Sequence, residues 1–265
     1  MRTHTVCRAR ARFPRGLVQP AGGFRFSADA LLLASYAARS GPSGNSSLLD
    51  LGCGCGVVGL ACLLALPGMT ATGVDCLPEQ VAAARENAVL LGLADRFAAT
   101  EKDLDSAAER QTLASGGYAL VVANMPYRAP GSGRLPREPA RRTALFAKPS
   151  TMAAFLAAAK RALAPEGSLA LVYPWETRDA LLLCLERHGL APVELLPVMT
   201  GRDAGSRILV RAAHAETAPA GNVPCSAPLL LYAKEGQGFT REALAFCPWL
   251  SRRASPDRSR SVNVK

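Results

Sequence analysis

Short apolar runs rich in β-formers alternate with helical segments from Leu48 to Ala212, and this alternation is the strongest constraint on the fold. Seven strands are expected: Leu48–Leu51, Met69–Asp75, Phe97–Thr100, Tyr118–Ala123, Ser168–Tyr173, Val193–Met199 and Arg207–Ala212. Between them fall helices over Val57–Leu66, Pro78–Leu91, Leu104–Ala114, Thr151–Leu163 (started by Ser150) and Glu176–His188. Pro78 suits a first helical turn, while Gly92 and Gly189 suit C-terminal stops. Strands separated by helices pair in parallel and are covered on both faces, which predicts an α/β, Rossmann-like, mostly parallel sheet with helices on both sides. Ahead of the sheet, Ala28–Ala38 reads as a helix with Ser27 as its N-cap.

In such a sheet, ligands bind at the C-terminal edge of the strands. Two segments reach that edge with chemistry. The first is Asp50-Leu51-Gly52-Cys53-Gly54-Cys55-Gly56-Val57-Val58-Gly59, joining the first strand to its helix. Glycines there let the backbone turn tightly and approach a ligand closely. Asp75 closes the second strand, 19 residues past Gly56, where a carboxylate can accept the hydroxyls of an adenosine ribose. Dinucleotide and S-adenosylmethionine sites share that carboxylate. Asp50 separates them: an acid just before the first glycine would repel a pyrophosphate, but suits a cationic sulfonium carrying an ammonium. Asp103, after the third strand, is placed to accept an adenine amino group or, alternatively, to cap a helix.

The second segment is Asn124-Met125-Pro126-Tyr127, delivered by the Tyr118–Ala123 strand. An amide oxygen and an adjacent backbone carbonyl can accept both N–H groups of an exocyclic amine, and an aromatic ring can cover its π face. Adenine is the first candidate for that amine.

These residues resemble class I S-adenosylmethionine-dependent methyltransferases acting on amino nitrogens. The run Gln19-Pro20-Ala21-Gly22-Gly23-Phe24-Arg25-Phe26-Ser27-Ala28-Asp29-Ala30-Leu31-Leu32-Leu33 is similar to that of bacterial methyltransferases that modify N6 of adenine 37 in a valine tRNA. Gly131-Ser132-Gly133-Arg134 and Leu230-Leu231-Tyr232 share the likeness. The resemblance implies the class I methyltransferase fold and S-adenosylmethionine as cofactor. It implies that Asp50, Gly52, Gly54, Gly56, Asp75 and Asp103 hold the cofactor, and that Asn124, the Met125 carbonyl, Pro126 and Tyr127 hold the substrate amine. Ser27 and Asp29 either close over the cofactor's methionine end or only cap their helix. The family's usual tetrapeptide has Pro where this chain has Met125, which keeps the carbonyl but loosens the backbone. Protein-glutamine N5 and ribosomal-RNA guanine-N2 methyltransferases are the rival activities. The former carry a helical N-terminal domain for which 26 residues would leave no room. A non-catalytic RNA-binding module is the rival of another class.

Charge favours RNA. The chain carries a net charge of +10, with five arginines (Arg128, Arg134, Arg137, Arg141, Arg142) just after the tetrapeptide and five more basic residues in the last fourteen. A tRNA partner is expected. The Arg-rich start has the composition of an organelle transit peptide, but Pro14, Gly16 and Pro20 would break a long amphipathic helix. Eight cysteines show no CxxC pair and the three histidines are scattered, so no metal site is expected, and reduced thiols point to the cytoplasm. No apolar run reaches membrane-spanning length. Four regions are expected: a basic, turn-rich lead-in (1–26), the methyltransferase domain (27–213), a C-terminal extension packing on the core (214–250) and a basic, disordered tail (251–265).

Overall fold

The order of the strands reverses at the centre of one sheet, β3-β2-β1-β4-β5-β7-β6-β8. The strands are β1 (Ser47–Leu51), β2 (Thr70–Asp75), β3 (Phe97–Glu101), β4 (Tyr118–Ala123), β5 (Leu163–Pro174), β6 (Leu190–Met199), β7 (Arg207–His214) and β8 (Leu229–Leu230). In this computed structural model the described residues are 2–21, 25–39, 41–42, 44–127, 150–201, 207–233 and 238–252. The arginine-rich segment 128–149 with its Gly131–Arg134 run, residues 22–24 and the tail beyond 252 lie outside them.

The pairs β1–β2, β2–β3, β1–β4 and β4–β5 are parallel, and β7 runs antiparallel between β5 and β6. The chain leaves β1 toward β2 on one side and returns through β4 on the other. That switch opens a crevice between the carboxyl ends of β1 and β4. The seven expected strands are all present. The eighth, β8, pairs in parallel with β6 at Val198–Leu229 and Met199–Leu230. Two residues are too few to show an alternation, which is why this apolar patch did not read as a strand.

Both sheet faces are covered. Along β4, Leu120 and Val122 join one buried cluster while Val121 and Ala123 join the other. This is the two-residue alternation of a strand buried on both sides. The first face carries α2 (Ala28–Arg39), α3 (Val57–Ala65) and α4 (Pro78–Leu90), and the second carries α6 (Thr151–Ala162) and α7 (Arg178–Arg187). Emptying one such core position, as in Leu49→Ala, is expected to cost about 2–5 kcal/mol.

The lead-in was expected to be turn-rich. It instead holds a helix, α1 (Arg2–Arg12). Its Ala and Arg residues favour helix, and tertiary contacts fix it. Arg10 Nε donates to the Leu91 carbonyl at 2.7 Å and its Nη2 to the Gly92 carbonyl at 3.0 Å, satisfying orphan acceptors at the end of α4. Phe13, fully buried, meets the Trp249 ring edge-on at 5.5 Å. Conversely, the helix expected over Leu104–Ala114 shrinks to α5 (Ala107–Gln111). Ser106 Oγ accepts from the Glu109 N–H, and Glu109 Oε2 accepts from the Asp103 N–H. These local bonds hold residues 103–106 as a turn ahead of the helix. Near the C-terminus, α8 (Arg241–Phe246) and the turn after it seat on α2: Cys247 Sγ donates to the Leu31 carbonyl, and Arg39 lies over the Phe246 ring.

Candidate active site

At the switch point lies a cavity of about 280 Å³. Its wall includes Gly52, Gly54, Asp75 and Asp103 together with Asn124, Met125, Pro126 and Tyr127. Eight of the ten residues expected at a site therefore meet around one space.

The glycine loop is folded by its own backbone. The Gly52 and Cys53 N–H groups both donate to the Val74 carbonyl, at 2.9 and 3.0 Å, pinning the end of β1 to the end of β2. Gly52 (φ 68°) and Gly54 (φ 53°) occupy left-handed conformations that other residues rarely take. A Cβ on Gly54 would meet nothing nearer than Gln80 Oε1 at 3.9 Å, so the backbone there faces open space. The two expected residues outside the wall are Gly56 and Asp50. Gly56 (φ 81°) leaves little space for a Cβ, with Ala84 Cβ 3.1 Å away, and stands at the turn into α3. Asp50 sits beneath the loop, only 1% exposed, with Oδ2 accepting the Gly59 N–H at 2.8 Å and Oδ1 unpartnered. Burial pushes its carboxyl up to about 7, against the Gly59 hydrogen bond and aided by the nearby Asp75.

Asp75 Oδ2 accepts the Gly54 N–H at 2.8 Å and its Oδ1 the Leu77 N–H at 3.0 Å. Each oxygen retains a lone pair, so the carboxylate is oriented by the loop yet able to accept from a ligand. Burial raises its pKa, opposed by those two hydrogen bonds. Asp103 reaches the wall from the turn after β3, where its Oδ1 accepts the Asp105 N–H; the cap of α5 is Ser106. The thiols of Cys53 and Cys55 also line the cavity, and burial pushes Cys53 well above its ordinary range and Cys55 to about 12.

Beside the end of β1, the Asn124 side chain has no hydrogen-bond partner among the described residues. Met125 turns its side chain, 1% exposed, into the core on the α6 face. Tyr127 is held from three sides. Its hydroxyl donates to Asp29 Oδ2 (3.3 Å) and accepts from Arg207 Nη2 (3.0 Å), while the Arg207 guanidinium carbon stands 5.0 Å from the ring centre. Arg207 Nε also donates to Asp29 Oδ2 at 3.0 Å. Ser27 both caps α2, accepting the Asp29 N–H, and lines the cavity, whereas the Asp29 carboxylate goes to Tyr127 and Arg207. Sequence reading did not single out Arg207, Gln80 or Phe155. Gln80 lines the cavity, 3% exposed, with Oε1 unpartnered. Only its position, one turn past Asp75 on α4, could have marked it.

The wall fits an adenosine carrying a charged amino-acid chain: acceptors at Asp75, Asp103 and Gln80, an open glycine backbone, and a volume near the ~300 Å³ lower bound of small-molecule pockets. Among the described residues no group of three His, Cys, Asp or Glu could hold a metal ion, and no helix is long and apolar enough to cross a membrane.

Residues 27–182 match the model of the Methyltransferase small domain. Among curated proteins, the chain is 34% identical over 166 residues to the release factor glutamine methyltransferase of Deinococcus radiodurans, covering 59% of this chain and 55% of that one. It thus spans about half the length of that relative. It is 31% identical over 187 residues to the tRNA1(Val) (adenine(37)-N6)-methyltransferase of Aeromonas hydrophila, covering 69% of this chain and 74% of that one. Among solved structures, a predicted O-methyltransferase of Agrobacterium tumefaciens aligns with a TM-score of 0.63 at 20% identity, over 84% of this chain and 96% of that one. A putative RNA methyltransferase of Pyrococcus horikoshii aligns with a TM-score of 0.57 at 15% identity, over 82% and 98%. Both share the α/β fold.

Proposed function

We propose that this chain, which belongs to the methyltransferase small-domain family, uses S-adenosylmethionine to methylate the exocyclic N6 amine of an adenine in tRNA. The observation that carries the reading is an Asn124 amide with no partner among the described residues and the tethered Tyr127 ring, lining one cavity with the glycine loop and Asp75. Bound in the cavity, the cofactor supplies an electrophilic methyl group on a cationic sulfur. Asp75 would accept from the ribose and Asp103 from the adenine amino group, with the glycine loop holding the remainder.

An aromatic amine is a weak nucleophile because its lone pair is delocalised into the ring. Asn124 accepts one N–H of the substrate amine and the Met125 carbonyl the other, which holds both N–H groups out of the ring plane and raises the lone-pair density on nitrogen. Tyr127 stacks on the base. Held by Asn124 and the Met125 carbonyl, the nitrogen would take the methyl carbon as its bond to sulfur broke, releasing the neutral thioether, and the extra proton would pass to water. The acceleration comes from positioning and fixed dipoles rather than from a strong base. The adenine must leave its stack to enter, which is easier for a loop base than for a paired one. On this reading the enzyme works in the cytoplasm.

Glutamine N5 methylation is the second reading, favoured by the 34% identity to a release factor enzyme. The broader coverage of the tRNA relative, 74% against 55%, and the net charge of +10 support RNA. The test is transfer of labelled methyl to tRNA from cells lacking this gene, with release factor protein in parallel, followed by nucleoside analysis. N6-methyladenosine in tRNA is the expected product. Label in protein alone would replace the reading with the glutamine activity.

A further inference from the structure

Helix α1 has two faces of different character. Val6 and Arg10, four residues apart, face the end of α4: Arg10 bonds the Leu91 and Gly92 carbonyls, and a Cβ on Gly92 would lie 2.8 Å from Val6 Cγ1. His4, Arg8 and Arg12 share the same four-residue spacing but start two residues earlier, so they project on the opposite side of the helix. All three are exposed, and so is Arg15 in the turn that follows. Among the described residues no carboxylate lies within ion-pair reach of Arg8, Arg12 or Arg15. No acid precedes Asp29 in the chain.

A free terminal helix with this composition would repel itself. Here it is docked, and the docking presents the arginine row to solvent. Its place matters. Residue Leu77, just before α4, lines the cavity, whereas α1 seats at the far end of that 13-residue helix, about 20 Å away. A mononucleotide in the cavity could not touch it, but a folded RNA could.

We infer that the Arg8–Arg12–Arg15 row is a docking surface for the sugar-phosphate backbone of the substrate RNA, outside the nucleotide being modified. This rests on the tRNA reading above. Arginine suits the role because it stays charged and its planar fork pairs with phosphate oxygens. Such contacts are sequence-independent, release counterions and set orientation rather than base choice.

The test compares the full chain with an Arg8→Gln/Arg12→Gln/Arg15→Gln variant in equilibrium binding to bulk tRNA and to an adenine-centred trinucleotide, over a salt series. Each lost phosphate contact lowers the slope of log affinity against log salt by about one. The variant is expected to lose about two to three from that slope for tRNA, with at least about tenfold weaker binding at low salt. Trinucleotide affinity and unfolding temperature should be unchanged, as should the maximal rate at saturating tRNA. An unchanged tRNA slope would overturn the inference while leaving the methylation reading intact. Equal losses on tRNA and trinucleotide would also overturn it, because the effect would then act through the cavity. If the wild-type chain binds tRNA without methylating it, the catalytic reading fails and the surface is judged on the slope alone. If the variant instead loses affinity for release factor protein, the row belongs to an acidic protein partner and the inference falls.

Discussion

Arg207 and Tyr127, 80 residues apart in the chain, are joined twice: Nη2 donates to the phenolic oxygen at 3.0 Å, and the guanidinium carbon lies 5.0 Å from the ring centre. Asp29 closes the triangle by accepting from both side chains. The hydroxyl of Tyr127 is therefore committed inside the protein, and what remains for a substrate is the ring. Arg207 and Asp29 hold that ring in one orientation.

Arg207→Ala is expected to raise the KM for RNA roughly ten- to a hundredfold, the range of lost hydrogen bonds to a charged group, with a smaller change in kcat. Lysine keeps the charge but not the fork, so Arg207→Lys should recover only part. In a Tyr127→Phe background the hydroxyl link is already gone, and the effect of Arg207→Ala should shrink. Effects that simply add would show that Arg207 does not act through Tyr127.

Gln80 predicts an opposed pair of changes. A buried oxygen without a partner costs about 1–3 kcal/mol, and Gln80 Oε1 is such an atom beside the open Gly54 backbone. Gln80→Leu should raise the denaturation midpoint of the ligand-free protein and weaken binding of S-adenosylhomocysteine by roughly tenfold, the worth of one hydrogen bond. Isothermal titration and urea unfolding give the two readings. Unchanged affinity would return Gln80 to a packing role.

What could be read from the sequence, and what could not, follows from distance along the chain. Asp75 ends a strand and Asn124 directly follows one, so local pattern alone assigns them to the sheet edge. The Gly52–Gly56 loop announces itself by composition. Arg207 begins a strand in the antiparallel half, and nothing near it in sequence mentions Tyr127. Asp50 could be placed next to the loop but not beneath it, since only the Gly59 hydrogen bond shows which way its carboxylate turns. The order in α1 was hidden for the same reason. Val6 and Arg10 acquire meaning only beside Gly92, and β8 only beside Met199.

Asp50 gives stability a pH slope. Its carboxyl is raised from 3.8 to about 7, so the folded state holds the proton more tightly than the unfolded chain. Stability from this group is fully present below about pH 4 and is lost as pH rises through about 7, a change on the order of 4–5 kcal/mol at ~1.4 kcal/mol per unit. Asp75 is shifted in the same direction by its own burial. Asp50→Asn should therefore flatten the profile between pH 4 and 7 and unfold at higher urea than wild type at pH 8. A variant that keeps the wild-type slope would assign it elsewhere.

Asn124→Ala removes an acceptor that matters most as the amine pyramidalises. It should lower kcat by about a hundred- to a thousandfold, the cost of removing a preorganised polar group from a transition state. S-Adenosylhomocysteine affinity should be unchanged, because the groups proposed to hold the cofactor are Asp75, Asp103 and the glycine loop, not the Asn124 amide. Turnover retained in this variant would sink the amine clamp.

Met125 tests how the clamp is kept rigid. Proline in the family's usual tetrapeptide fixes the backbone through its ring. Here the Met125 side chain is buried among the residues of the α6-side core, and that packing can hold the same carbonyl in place. Two substitutions separate the devices. Met125→Ala vacates the core, so it should cost about 2–5 kcal/mol of stability and also lower kcat, since the carbonyl is no longer anchored. Met125→Pro loses a similar amount of packing but restores backbone rigidity, so stability should fall while kcat stays within a fewfold of wild type. Wild-type kcat in both variants would mean that side-chain packing does not set the position of this carbonyl, and an equal loss in both would mean that proline cannot replace it.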